Sequence, residues 1–334
     1  MGDKTGISWT DATWNPVRGC TRVSEGCRNC YAETMAARIV RMGGIAGEKY
    51  RGLVRLTEAG EARWTGDVAF DAETLTQPLR WKRPRRIFVN SMSDMFHENL
   101  TDEQIAEVFA VMATTPRHTY QVLTKRAERM SALMTRSVTG RCVKWGGHAG
   151  RPLPDCNWLM ERAWQKVQGH YDAGRVSDWH WPLPNVWLGV SAEDQPTLDA
   201  RVPLLRQCPA AVRWVSLEPL LEEVDVAAHV LGDRRLDWIV IGGESGRGAR
   251  PFDPRWARKI LAQCAVPVFV KQLGSRPVLL DRWDVSESRY HDLDAAGWDE
   301  HQGSPTLRDR KGEDPSEWSE DLRVQQWPET GGAS

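Results

Sequence analysis

The sequence predicts an α/β fold, a partial or complete parallel (β/α)6–8 TIM-like barrel with insertions, on three observations. Short apolar, β-branched runs recur with helical stretches between them, as parallel strands joined by crossover helices do. Polar residues then fall at one kind of place: Ser91 to Asp94, Thr124-Lys125, Glu193-Asp194, Glu218, Glu244 and Lys271 stand at or just after the C-terminal ends of those runs. In a parallel barrel these ends share the face that holds the active site, so the separate motifs are expected to converge on one mouth. Finally, 334 residues with evenly spread apolar positions suit one large catalytic domain with decorations, or two average domains.

Taken in order, a weak first strand is predicted near Gly6–Trp9 and a helix over Tyr31–Met42, stopped by Gly43-Gly44. Residues 44–70 read as a hairpin insertion, Leu53–Thr57 and Ala62–Phe70 flanking Glu58-Ala59-Gly60-Glu61. Further strands are predicted at Arg85–Asn90, Thr119–Thr124, Val186–Ser191, Val212–Leu217, Asp237–Gly242 and Val266–Lys271. The best helix is Asp102–Thr114, where Thr101 and Gln104 make a capping box and Ile105, Val108, Phe109 and Met112 form one apolar face. Residues 137–184 read as an insertion rich in Gly, Pro, Trp and His, with one helix at Asn157–Gln168. The barrel domain is thus expected over 1–275, followed by a polar extension, 276–334, expected to be partly disordered.

A net charge of −1 gives no global signal for nucleic acid or membrane, so a DNA-binding role needs local patches. No apolar run is long enough to cross a bilayer, and the start Met1-Gly2-Asp3-Lys4 is not a secretion signal, so a cytoplasmic location is expected. Seven cysteines in a chain of this size argue for a reducing compartment rather than a disulfide framework. The seventeen tryptophans are expected mostly in the core, with a few available to stack on a flat substrate.

Three cysteines carry the chemistry. Cys20 stands in Trp14-Asn15-Pro16-Val17-Arg18-Gly19-Cys20, and after six residues come Cys27-Arg28-Asn29-Cys30. Three thiolates can hold three irons of a four-iron cluster and leave the fourth iron open for a small molecule. A structural zinc site wants four closed ligands, and the first histidine is His97. Zinc therefore needs a distant ligand, and plain buried cysteines are the other reading of the spacing.

Glu218 and Glu244 each follow an apolar run, in Leu-Glu-Pro and Gly-Gly-Glu-Ser-Gly settings that aim a carboxylate from a tight turn. Either a ligand role or an ion pair with Lys271 or Arg250 accounts for them, and Gly242 and Gly243 permit close backbone approach to a ligand. Ser191, Glu193 and Asp194 read as a helix cap or a ligand-binding turn. Lys271 suits an anionic group or a solvated rim. Two basic stretches stand out. Lys82 to Arg86 reads as a solvated entry loop, whereas Lys125, Arg126, Arg129, Arg136, Arg141, Lys144 and Arg151, interleaved with Trp145 and Trp158, suit phosphates and stacked bases or a charged helix face. His148, Cys142 and Cys156 are too widely spaced for a second metal site.

The cysteine segment together with Gly189 to Gln195, Ser216 to Leu221, Gly242 to Gly246 and Lys271 to Gly274 resembles the phage and prophage three-cysteine family related to radical S-adenosylmethionine (SAM) enzymes. The likeness runs with interruptions from about residue 5 to residue 275. One departure stands out: the usual triad has three residues between its first two cysteines, and here there are six.

The resemblance implies a barrel of the radical-SAM type, a [4Fe-4S] cluster on Cys20, Cys27 and Cys30, and SAM at the open iron. It implies reductive cleavage of SAM to a 5′-deoxyadenosyl radical, with electrons from a reductant protein such as flavodoxin or ferredoxin. Tyr31 would pack on the cluster or adenine, or simply start its helix. The SAM amino group falls to Asp94 or Ser93, with Ser91 in the same element and Ser191 and Glu193 beside the ribose or methionine carboxylate. Glu218, Glu244 and Lys271 are left as the catalytic, substrate-facing set.

As to substrate, the resemblance implies a nucleic acid or nucleotide: hypermodification of a phage DNA base that protects DNA from host restriction, for instance isomerising an amino-acid adduct on thymidine, in host cytoplasm if phage-encoded. A photoproduct lyase is the nearby alternative. A non-enzymatic zinc module that binds nucleic acid or a protein is the alternative from another class.

Overall fold

The computed structural model describes residues 5–135, 182–278, 283–284, 289–290 and 307–329. Its principal strands are β1 (Ala12–Trp14), β2 (Val17–Arg18), β3 (Val54–Leu56), β4 (Ala62–Trp64), β5 (Ala69–Phe70), β6 (Arg86–Val89), β7 (Thr119–Thr124), β8 (Val186–Ser191), β9 (Val212–Leu217), β10 (Trp238–Gly242) and β11 (Val268–Gln272). Its helices are α1 (Tyr31–Met42), α2 (Gly44–Glu48), α3 (Ala72–Leu75), α4 (Asp102–Ala113), α5 (Ala127–Thr135), α6 (Gln195–Gln207) and α7 (Pro254–Gln263). The chain divides into two compact units, Met1–Val190 with Pro203–Arg213, and Ser191–Val202 with Trp214–Ser334.

In the first unit β1, β6, β7 and β8 lie side by side in that order, every pair parallel. The register aligns Trp14, Val89, Val122 and Leu188 in one row across the strands. All four are buried, as expected of strands covered on both faces by crossover segments. Helix α4 starts on the expected capping box, Thr101 Oγ1 accepting from Gln104 N while Gln104 Oε1 accepts from Thr101 N. The hairpin β3/β4 pairs antiparallel with Val54 opposite Trp64, while β5 pairs with β2 instead.

The first strand differs from expectation. Residues Ile7 to Thr10 close a turn, Thr10 N donating to Ile7 O at 3.2 Å, and pairing with β6 begins only at Ala12. Trp9 is buried, which explains the apolar signal without a strand.

In the second unit β9, β10 and β11 are parallel neighbours. The rings of Trp214 and Trp238 lie 5.2 Å apart between centroids, so tryptophan fills this core as composition suggested. Part of the polar extension joins this sheet. Val270 N donates to Val324 O at 2.8 Å and Gln326 N to Val268 O at 2.9 Å, so residues 324–326 run along the free edge of β11. Trp318 and Leu322 are buried and anchor this cover. An uncovered strand edge is a pairing hazard, and this segment removes it.

Parallel strands alternating with helices place the chain in the α/β class, consistent with a partial TIM-like barrel. Among the described residues no helix is long and apolar enough to cross a membrane. The insertion helix Asn157–Gln168 and residues Arg136, Arg141, Cys142, Lys144, Trp145, His148, Arg151, Cys156 and Trp158 lie outside the described residues.

Candidate functional site

The cysteine loop leaves β2 through Gly19, whose φ of +86° is open to glycine. A Cβ there would stand 2.2 Å from Asp67 O, so the loop passes against backbone and only glycine fits. Gly19 also bridges Ser93 in parallel fashion, and Ser93 Oγ donates to Val17 O at 2.9 Å. This ties Cys20 to the Ser91–Asp94 element that follows β6. Cys27 closes a short helical turn over Glu25–Cys27, and Cys30 caps α1.

Arg22 organises the six-residue spacer. Its Nη2 donates to Arg28 O at 2.8 Å and to Glu33 Oε2 at 2.5 Å, and its Nε to Glu33 Oε1 at 3.1 Å. Glu33 is buried in α1 and also accepts from Trp64 N at 3.0 Å, which fastens the loop to the hairpin. Arg126, one residue past the turn after β7, fastens the other side. Its Nη1 reaches Cys20 Sγ at 3.7 Å and Asp94 Oδ2 at 3.2 Å, and its Nε reaches Glu98 Oε2 at 2.8 Å.

The three thiols are free and partly exposed. Burial pushes the Cys20 thiol up to about 12, with the Asp94 charge adding to the rise and Arg126 opposing it. Burial also raises Cys30, opposed by the first-turn amides of Glu33 and Ala32. Cys20 and Cys30 sense each other's charge, as do Cys27 and Cys30. Among the described residues no three His, Cys, Asp or Glu side chains converge on the position of a single ion. A four-iron cluster does not ask for that convergence, because each thiolate binds a separate iron. The donor set of three thiols, with a cationic donor on one sulfur, fits such a group.

Beside this loop the strand-end residues are occupied. Asp94 Oδ1 accepts from Thr124 Oγ1 at 2.7 Å and Phe96 N at 2.9 Å, while Oδ2 accepts from Lys125 N at 3.0 Å and from Arg126. Ser91 Oγ donates to Asn15 Oδ1 at 3.1 Å, and the exposed Tyr31 ring sends its hydroxyl to Ser91 O at 2.5 Å. Asn90 differs. It sits at φ 59°, and its buried carboxamide has no hydrogen-bond partner on either atom among the described residues.

For Arg126 and Arg129 the sequence left phosphate contacts and a structural role both open, and the structure shows internal partners for each. Arg126 is spent on Asp94, Glu98 and Cys20, and Arg129 donates to His97 O at 2.6 Å, Leu100 O at 2.5 Å and Asp102 Oδ1 at 3.2 Å. Glu33, Arg22 and Thr21 were not singled out. The available signal was charge inside a cysteine loop, where a buried carboxylate needs a partner.

The second unit holds its own polar cluster. Glu218 ion-pairs with Lys271, and Glu244 takes Arg250 through Nη2 at 2.6 Å, Nε at 3.0 Å and the backbone amide at 2.9 Å. Glu193 is buried against Arg201 Nη1 at 3.1 Å, Ser191 Oγ donates to Glu218 O at 3.3 Å, and Asp194 Oδ1 caps α6 by accepting from Thr197 N at 2.9 Å. The ion-pair and capping readings are thus both realised.

The packing here requires these glycines. A Cβ on Gly243 would lie 2.4 Å from Leu273 O, one on Gly242 3.2 Å from the Glu218 carboxylate, and one on Gly274 2.6 Å from Glu244 O.

No curated protein and no solved structure matches the chain. Residues 4–302 match the family described as a protein of unknown function (DUF5131), which spans the cysteine loop and both polar clusters, and the chain belongs to that family.

Proposed function

We propose that this protein is a radical-SAM enzyme whose Cys20, Cys27 and Cys30 hold a [4Fe-4S] cluster. The observation that carries the reading is the cysteine loop itself: three free thiols on a loop clamped by Arg22–Glu33 on one side and Arg126 on the other. When bound, the cluster supplies one electron, received from a reductant protein such as flavodoxin or ferredoxin, that cleaves SAM to methionine and a 5′-deoxyadenosyl radical.

The chain's own residues do the rest. Arg22 and Glu33 fix the spacer so that the cysteines keep their places. Ser91, Ser93 and Asp94 line the strand end beside Cys20, and Asn90 brings unspent hydrogen-bonding capacity to the same turn for SAM. Glu218, Glu244, Lys271, Ser191 and Glu193 are proposed for substrate and cofactor, each carboxylate exchanging or sharing its present ion pair when ligand arrives.

The motif resemblance supports the substrate: a thymine base of phage DNA carrying an amino-acid adduct, isomerised through removal of one hydrogen atom, in the host cytoplasm. Protein purified without oxygen is expected to hold about four irons and no stoichiometric zinc. Reduced and given SAM, it is expected to release 5′-deoxyadenosine, and the triple Cys→Ala variant is not. One zinc in colourless protein contradicts the reading.

A further inference from the structure

We propose that Arg126 is a positioning residue that holds the Cys20 sulfur against Asp94 and, as a cationic donor to that sulfur, raises the reduction potential of the cluster bound there. This rests on the cluster reading above. A guanidinium has five N–H donors in a rigid fork. Here Nε serves Glu98 Oε2 at 2.8 Å, Nη1 serves Asp94 Oδ2 at 3.2 Å and Cys20 Sγ at 3.7 Å, and Nη2 serves Thr21 Oγ1 at 2.5 Å and Thr21 O at 3.4 Å. Five donors meet five acceptors, and three of those acceptors belong to Cys20 and Thr21.

The fork is itself held. Arg126 is only 8% exposed, its own amide donates to Thr124 Oγ1 at 2.9 Å, and Asp94 is fixed by three further donors whether or not Arg126 is present. Thr21 is seated from the far side as well. His97 Nδ1 accepts from Asn99 N at 3.2 Å, which leaves Nε2 to donate to Thr21 Oγ1 at 3.1 Å, and Thr21 Oγ1 then donates to Glu98 Oε1 at 3.1 Å. The first cysteine of the loop therefore cannot shift without breaking a partly buried network.

The electrostatic half follows from the donor's charge. A hydrogen bond from a cation to a cluster sulfur favours the state with one more electron, and hydrogen bonds to the sulfurs are among the factors that set cluster potentials. Lysine cannot replace this, because one ammonium does not span Asp94, Glu98, Thr21 and a sulfur together.

The test is a redox titration of the anaerobically loaded full-length protein, followed by the paramagnetic signal of the reduced cluster, with iron content measured alongside. Poised at the wild-type midpoint, Arg126→Met is expected to show a reduced-to-oxidised ratio lowered roughly tenfold, or 59 mV for a one-electron couple. A folded variant that keeps fewer irons supports the positioning role equally. Full iron with a ratio within twofold of wild type overturns the proposal. Where Arg126→Met does not fold, Arg126→Lys decides by the same readings, with a threefold fall expected. A purely structural ion pair would lower the melting temperature and leave the midpoint in place. Wild-type protein without iron sinks the cluster reading itself, a result distinct from an unshifted midpoint.

Discussion

Arg22 and Glu33 close the cysteine loop from within: the guanidinium meets the buried carboxylate at 2.5 Å and 3.1 Å, and the same carboxylate accepts the Trp64 amide. One carboxylate thus joins the loop, the first helix and the hairpin.

Glu33→Ala strands Arg22 and the Trp64 amide. Breaking one partner of a buried pair costs roughly 3–5 kcal/mol, the lower end being expected here because Arg22 is partly exposed. Urea unfolding is expected to show the loss, and thiol-labelling of Cys27 and Cys30 in the metal-free protein is expected to speed up. Unchanged labelling would show that the loop does not need this pair.

Asp71 sets an acid limit on the first unit. Burial works to raise its carboxyl, but Lys49 at 2.8 Å, Thr74 and Arg18 at 2.5 Å outweigh it and hold the pKa far below the ordinary range. A depressed folded pKa contributes stability that is full above the unfolded value, about 3.9, and is lost as pH falls below it. Melting temperatures of wild type and Asp71→Asn are expected to differ near neutrality and to converge as the pH drops below about 4. A constant gap across that range would contradict the assignment.

Asn90 is the opposite case, a residue whose present state costs stability. Its left-handed backbone suits glycine, and its unpartnered carboxamide forfeits roughly 1–3 kcal/mol. Asn90→Gly gives back the desolvation cost and adds roughly 0.5–1 kcal/mol of chain entropy, so a small net gain in unfolding free energy is expected. The same variant is expected to bind SAM more weakly by calorimetry. A variant that is less stable and binds SAM as wild type does would show that the amide serves the fold alone.

Removing residues 307–334 uncovers the edge of β11 and deletes the buried Trp318 and Leu322. Each such side chain contributes roughly 1.5–3 kcal/mol on burial, so a loss of several kcal/mol and concentration-dependent aggregation are expected in light scattering. A truncated protein as stable as the full chain would remove the segment from the fold.

Much of this was legible in the chain itself. Strands β7, β8 and β9 begin and end where their apolar runs do, because each is a largely buried stretch bounded by turn residues. Helix α4 announced itself through Thr101 and Gln104, a reciprocal pair that only a helix start uses. β1 was missed because a three-residue strand carries too little period to separate from the neighbouring buried Trp9. The role of residues 324–326 was hidden because edge pairing uses backbone groups, which any polar sequence supplies. At the site, the cysteines stood out as candidate ligands by spacing, whereas the partners of Arg126 could not be read from the chain. Charge beside a strand end looks the same on paper whether it reaches a phosphate or, as here, Asp94, Glu98 and a sulfur.

The central claim is that Cys20, Cys27 and Cys30 together hold an open iron–sulfur cluster. Iron and acid-labile sulfide per chain, measured on protein purified without oxygen, test it most directly. About four of each in the wild type, and none in the triple Cys→Ala variant, is the expected result. A wild-type protein that takes up no iron, or one that keeps its iron when all three thiols are gone, would contradict it.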